Sequence, residues 1–246
     1  MSASVIGARL DLLVRLVDTT TGAEVKERNV LFLKDGQLIR PEPRGTGMYV
    51  FINTGREDFL MQIRVFGYDE CTVPVSYASL DQRMPVCDVF LMPSESMSGW
   101  PELIDFKGNL PFLETIEAVN LNRPLCNFQA YDQKKNLMSV YNASGGSVYL
   151  DTCCYGLVSR EKASYETIEV TGTVTSQSFH LKNPLAPETV QGLMICRIIY
   201  GRATKEGDYV LRVRDDAKDL IYLVRYQVKG EERFQILDFR NQEVLK

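Results

Sequence analysis

Apolar and polar side chains alternate along most of this chain. From Arg9 to Leu16, residues Leu10, Leu12, Val14 and Leu16 fall on one side and Arg9, Asp11 and Arg15 on the other. A period of two marks a strand with one buried face. The run stops at Asp18-Thr19-Thr20-Thr21-Gly22, a turn whose Asp can hydrogen-bond its own backbone and whose Gly accepts positive φ. A second run, Asn29 to Lys34, reaches Asp35-Gly36, a strong signal for a two-residue hairpin. The segment Arg40 to Gly47, with two prolines and two glycines, is expected to lie outside regular pairing.

Strand character resumes at Gly47 and continues through Ile52. It returns from Phe59 to Phe66, with Phe59, Met61, Ile63 and Val65 sharing a side, and closes at Gly67-Tyr68-Asp69. Cys71, Val73, Val75 and Tyr77 alternate next, and Pro74 within that run predicts an edge strand, because proline cannot donate to a ladder. A last run, Pro85 to Met92, ends at Pro93-Ser94.

Residues 95–110 shift to Ser, Gly, Pro and Glu around the single Trp100, which marks a linker. Trp100 is expected to plug a seam rather than anchor a partner. Residues 111–246 are again β-rich without repeating the first half, so they predict a second antiparallel domain, a sandwich or a barrel. Strands are expected at Cys126–Tyr131, Leu137–Tyr141 and Val148–Leu150, and a short helix at Ser159–Ser164 with Ser159 as N-cap. Near the end, Tyr209, Leu211 and Val213 oppose Arg212 and Arg214. Leu220, Tyr222, Val224, Tyr226 and Val228 share one side, and Lys229-Gly230 turns the chain toward Phe234–Phe239. These three runs predict a meander. Its central strand also carries Ile221 and Leu223 on the opposite face, so something must cover both faces.

Length agrees with two domains, since 246 residues exceed the usual single sandwich. With 45% hydrophobic and 24% charged residues, the composition is that of an ordinary folded protein. The net charge of −4 is dispersed and no Lys/Arg tract is present, so nucleic acid is not expected as a partner. No stretch approaches the ~20 apolar residues that span a bilayer, and Met1 to Gly7 lacks a signal-peptide pattern. Cytoplasmic synthesis without a signal peptide follows as the expectation, with later incorporation into a particle and no membrane partner.

The order of apolar strand, Asp-Thr-Thr-Thr-Gly turn, strand, Gly47-Met48-Tyr49-Val50-Phe51, charged turn, strand ending in Gly67-Tyr68 and Val-rich edge strand resembles the prealbumin-like, Ig-like sandwich of carboxypeptidase regulatory-like domains. The resemblance covers roughly residues 8 to 94. It implies a seven-stranded N-terminal sandwich serving scaffolding, docking or adhesion, with no active-site residues to carry over. The whole chain is therefore expected to be all-β, with a sandwich over 1–94, a linker over 95–110 and a second domain over 111–246.

Candidate chemistry is sparse. His180, the one histidine, lies in the strand-like Ser178-Phe179-His180-Leu181, with no Gly-x-Ser-x-Gly elbow to partner it and no HxxxH or CxxC spacing for zinc. Asp208, Asp215, Asp216 and Asp219 form the densest acidic cluster. Interleaved Arg212, Arg214 and Lys218 make a hydrated turn the expected reading, with weak calcium binding as the alternative. Gly45-Thr46-Gly47 precedes no helix and so makes no phosphate loop. Cys71, Cys87, Cys126, Cys153, Cys154 and Cys196 match no disulfide framework and are expected to be reduced, with one of the adjacent pair Cys153 and Cys154 buried and the other exposed. Tyr149, Tyr155, Tyr165, Tyr200, Tyr209, Tyr222 and Tyr226 occupy strand positions where packing accounts for them.

No catalytic, cofactor or metal residue is assigned, and the expected function is that of a structural or docking protein whose partners are other protein subunits, in a homo- or hetero-oligomer. Two β domains and the run Leu211-Arg212-Val213-Arg214-Asp215-Asp216 resemble an accessory or baseplate component of phage-tail-like contractile particles. A surface adhesin or carbohydrate-binding module is the alternative, and an enzyme is not expected.

Overall fold

Period-two alternation becomes strand in nearly every place where turn residues bound it. The computed structural model describes residues 10–27, 29–94, 102–186, 192–214, 220–241 and 243–245. The protein is all-β, with one 3-10 turn at Tyr77–Ser79 as the only helical element among the described residues. None of those residues forms a helix long and apolar enough to cross a membrane. Two compact units divide the chain, Met1–Trp100 and Pro101–Lys246.

Among the described residues the first unit holds eight strands, one more than the resemblance implies: β1 (Leu10–Asp18), β2 (Val30–Lys34), β3 (Gln37–Ile39), β4 (Glu42–Pro43), β5 (Met48–Ile52), β6 (Phe59–Val65), β7 (Cys71–Val75) and β8 (Val86–Leu91). They form two four-stranded sheets, β4-β5-β1-β8 and β3-β2-β6-β7. Leu12, Val14, Leu16, Phe51 and Leu91 from one sheet meet Phe32, Met61, Ile63 and Val75 from the other in a single core. All pairings are antiparallel except β1 with β8, whose parallel register sets Arg15 opposite Asp88. The two side chains form a fork-to-fork ion pair, with Nε to Oδ1 at 2.8 Å and Nη2 to Oδ2 at 2.6 Å. Asp35 and Gly36 both take positive φ in the expected hairpin between β2 and β3. Pro74 lies on β7, an edge strand, as its missing N–H requires. The segment with two prolines does contribute pairing, since Glu42 and Pro43 sit opposite Val50 and Tyr49 at the sheet's edge.

The second unit comprises β9 (Leu103–Asn109), β10 (Leu113–Asn120), β11 (Cys126–Asp132), β12 (Leu137–Tyr141), β13 (Cys154–Ser159), β14 (Ser164–Thr175), β15 (Ser178–Leu181), β16 (Met194–Tyr200), β17 (Arg202–Ala203), β18 (Asp208–Arg214), β19 (Ile221–Val228), β20 (Glu231–Asp238) and β21 (Glu243–Leu245). Strand β9 falls inside the segment whose composition suggests a linker. Strands β11-β12-β15-β14-β13-β16 run in order, and β11 also pairs with β16, so six antiparallel strands close into a barrel. Its interior is filled by alternate residues of every strand, among them Phe128, Met138, Tyr155, Ile168, Phe179 and Ile195.

One edge of β16 serves two strands in succession. Cys126 and Asn127 of β11 pair with Ile195 and Met194, and Val119, Ala118 and Glu117 of β10 pair with Ile198, Ile199 and Tyr200. The ladder thus leaves the barrel and continues as β10-β19-β20-β21. A separate sheet, β17-β18-β9, joins this extension over a core that includes Leu211 and Val213 on one side and Tyr222, Val224 and Leu237 on the other. The expected meander is therefore two things: β19 and β20 pair as a hairpin through Lys229 and Gly230, but β18 pairs with β9 in the facing sheet. Alternation fixes which face of β18 is buried and leaves its partner undetermined.

The opposite face of β19 is covered from within the unit. Leu223 and Ile221 pack with Val158, Tyr165 and Cys196 from the barrel's outer surface. Two further expectations differ from what is observed. Arg160–Ala163 is not helix but the hairpin loop joining β13 and β14, with Ala163 at φ 46° and the Lys162 N–H donating to Ser159 Oγ at 3.2 Å. Val148–Leu150 buries Val148 and Leu150 and exposes Tyr149 as a strand would, yet belongs to no ladder.

Gly156 permits the barrel to meet the extension. A Cβ there would lie 2.8 Å from Val119 Cγ1, against a stiff β-branched side chain. Gly156→Ala is expected to destabilise the second unit by about 1–3 kcal/mol through overpacking, read as a lower urea midpoint, whereas Gly172→Ala, where a Cβ meets open space, should lose far less.

Candidate functional site

Buried charge in this protein holds strands together. Asp18 closes β1 with its Oδ1 accepting from the Thr20 N–H at 2.8 Å and from Thr20 Oγ1 at 2.6 Å. Its Oδ2 accepts from the Tyr68 hydroxyl at 2.9 Å. The Asp-Thr-Thr-Thr-Gly turn and the Gly67-Tyr68 turn are therefore two halves of one clasp. Asp11, expected on the polar face of β1, is buried and accepts from the N–H groups of Thr54 and Gly55 at 2.7 and 3.1 Å. It fastens the turn between β5 and β6.

In the second unit Arg212, likewise expected to face solvent, is buried opposite Asp105 of β9. The guanidinium donates Nε to Oδ1 at 2.6 Å and Nη2 to Oδ2 at 2.8 Å, and this hydrogen bonding holds the Asp105 carboxyl below its ordinary range against the opposing effect of burial. Arg225 of β19 bonds Glu117 of β10, donates to Thr167 Oγ1 of β14 at 2.7 Å and lies 4.7 Å from the centre of the Tyr165 ring. That one side chain ties the extension to the barrel.

The residues that carry candidate chemistry are scattered. His180 is exposed on β15, opposite Leu137 and Gly172. Asp208 is exposed and accepts from Asn109 Nδ2 at 2.7 Å. Asp215, Asp216, Lys218 and Asp219 lie outside the described residues, as do Trp100 and the N-terminal Met1 to Arg9. Among the described residues no three His, Cys, Asp or Glu side chains are placed to hold a metal ion. All six cysteines are thiols. Cys153 and Cys154 do face opposite ways, into the barrel core and the outer core respectively, but both are half-buried rather than one buried and one exposed. Burial pushes the Cys87 thiol up to about 11 and those of Cys126 and Cys196 up to about 12, far from the thiolate that nucleophilic chemistry requires. Of the tyrosines, Tyr155, Tyr165, Tyr222 and Tyr226 are buried, whereas Tyr149 is 82% exposed.

One concavity belongs to the first unit. A cleft of about 900 Å³ opens where the edge strands β3 and β4 carry the chain from one sheet to the other across Arg40 and Pro41. Phe32 and Tyr49, with ring centres 4.9 Å apart, and the half-buried Val30 and Ile39 supply its apolar lining. Burial, then the Glu27 carboxylate, raises the Tyr49 phenol above its ordinary value. Leu31 and Leu38, 52% and 57% exposed, extend the apolar surface outward, and Lys26 and Arg40 stand at the rim. The loop Gly45-Thr46-Gly47 forms one wall. Gly47, at φ 64°, allows close approach to the neighbouring backbone, since a Cβ would lie 3.1 Å from the Leu16 carbonyl oxygen. Alternation exposes none of this, because the cleft arises from the two sheets parting at an edge.

Compared with known proteins, the chain matches no family model, and no curated protein is significantly similar to it.

Two measurements test this account. Because the Asp105 carboxyl is depressed in the folded state, its stabilising contribution is complete above the unfolded value of about 4 and declines as pH falls through the folded one. Asp105→Asn should therefore lower stability at neutral pH, and its deficit relative to the parent should shrink as unfolding is followed below about pH 4. In the second, maleimide labelling at about pH 8 followed by mass spectrometry should leave Cys126 and Cys196 unmodified until the chain is unfolded in urea.

Proposed function

We propose that this protein is a non-catalytic structural or docking subunit of a larger assembly, acting through contact with other protein subunits. The observation that carries this reading is the outer face of the sheet β3-β2-β6-β7. There Leu31, Leu38 and Leu60 are each more than half exposed, at 52%, 57% and 52%, on strands that neighbour one another. Leu31 and Leu38 are diagonal neighbours across β2 and β3, since Leu38 lies opposite Leu33, and exposed leucines on a sheet face favour burial against a partner. The internal charges support the same reading: Asp11, Asp18, Asp105, Arg212 and Arg225 all join strand to strand or strand to turn.

Within that class, the assembly we favour is a phage-tail-like contractile particle. Two β-rich units joined in one chain, and the resemblance of the first to prealbumin-like docking modules, support that choice. A second reading, a carbohydrate-binding or adhesive surface, is favoured by Tyr149 alone, displayed beside the loop Ala143 to Ser147.

Sedimentation velocity over a wide concentration range separates the two. Docking predicts reversible association that weakens when Leu31, Leu38 and Leu60 are together replaced by Glu, and a strictly monomeric chain at the highest soluble concentration counts against it. Retention on a glycan array that is lost in Tyr149→Ala would favour the second.

A further inference from the structure

We infer that the cleft between β3 and β4 is a docking site for an extended polypeptide segment that alternates acidic and apolar side chains. The inference rests on the docking reading above and gives it a location and a partner chemistry.

Three features converge on this occupant. Strand β3 is the last strand of its sheet, so Gln37 to Ile39 offer backbone donors and acceptors on a side where no further strand of that sheet lies. A segment added there is extended by necessity, and its side chains point alternately to either face. The cleft beneath provides apolar lining from Val30, Leu38 and Ile39, over Tyr49, for one set of those side chains, in a volume of about 900 Å³ that accommodates several of them. At its rim, Lys26 and Arg40 form no ion pair with any described residue, although Arg44 nearby pairs with Glu42. Glu27 is the one carboxylate in the lining, so Lys26 and Arg40 leave it net positive, which favours carboxylates on the other set over lysines and arginines.

A fluorescein-labelled octapeptide alternating aspartate with valine and phenylalanine serves as the probe, and its counterpart with lysine in place of aspartate as the control. Titrated into the whole chain, the acidic peptide is expected to bind below about 1 mM and at least about ten-fold more tightly than the basic one. Amide shifts in nitrogen-15 NMR spectra should cluster on Gln37–Ile39 and Gly45–Tyr49. The double variant Lys26→Glu, Arg40→Glu, whose changes are confined to exposed side chains, should reverse the peptide preference.

Equal binding of the two peptides, shifts confined to another surface, or no binding up to about 1 mM would overturn the inference. A chain that self-associates in sedimentation yet ignores the acidic peptide keeps the docking function and loses this cleft. One that binds the peptide at the cleft but stays monomeric keeps the cleft and loses self-association.

Discussion

A β-strand has two edges to pair and two faces to cover, and in the second unit both demands meet at β16. Its backbone pairs with β13 on one edge and, on the other, first with β11 and then with β10. The pairing with β11 closes the barrel and removes an exposed edge. The pairing with β10 carries the ladder onward to β19 and β20. Because one strand belongs to both, the barrel's outer surface comes to lie against the far face of β19, and the apolar residues Ile221 and Leu223 find their cover there. The run Met194-Ile195-Cys196 is apolar without alternation for the same reason: both faces of β16 are interior.

Charge plays the complementary part where hydrophobic burial cannot specify a neighbour. Apolar contacts are non-directional, but the Arg212–Asp105 fork fixes β18 against β9, and the Arg15–Asp88 fork fixes the parallel register of β1 and β8. Asp18 joins two turns that are distant in sequence. Removing one partner of such a pair leaves a desolvated charge, so these contacts act as constraints on register more than as sources of net stability.

Much of the architecture was legible in the sequence, and the limits were physical. The Asp35-Gly36 and Lys229-Gly230 hairpins, the edge position of Pro74 and the inward face of β19 all follow from local chemistry and period two. What local patterns omit is the identity of a strand's neighbour. Leu211 and Val213 read correctly as buried, yet the partner of β18 is β9, far away in the chain. Arg212 and Asp11 read as solvent-facing because charge usually is, and only tertiary pairing reverses that. Ser159 to Ser164 carries good helix formers, but the ladder between β13 and β14 overrides their propensity. Of the candidate site, the Asp35-Gly36 hairpin leading into β3 was foreseeable, whereas β4 lies in a segment expected to be unpaired, and the cleft depends on how two sheets part and leaves no periodic trace.

The bond between Glu117 and Arg225 spans 108 positions of the chain, and the β10–β19 ladder runs from Asn120 opposite Tyr222 to Leu113 opposite Val228, every pair more than 100 positions apart. During synthesis the six barrel strands are complete before β19 has been made, while the outward edge of β10 waits for its mate. High contact order slows such closure, and an unpaired edge in the nascent molecule invites mispairing with other chains. Expression yield and chaperone dependence should therefore be governed less by the barrel than by how quickly its last companion strand arrives.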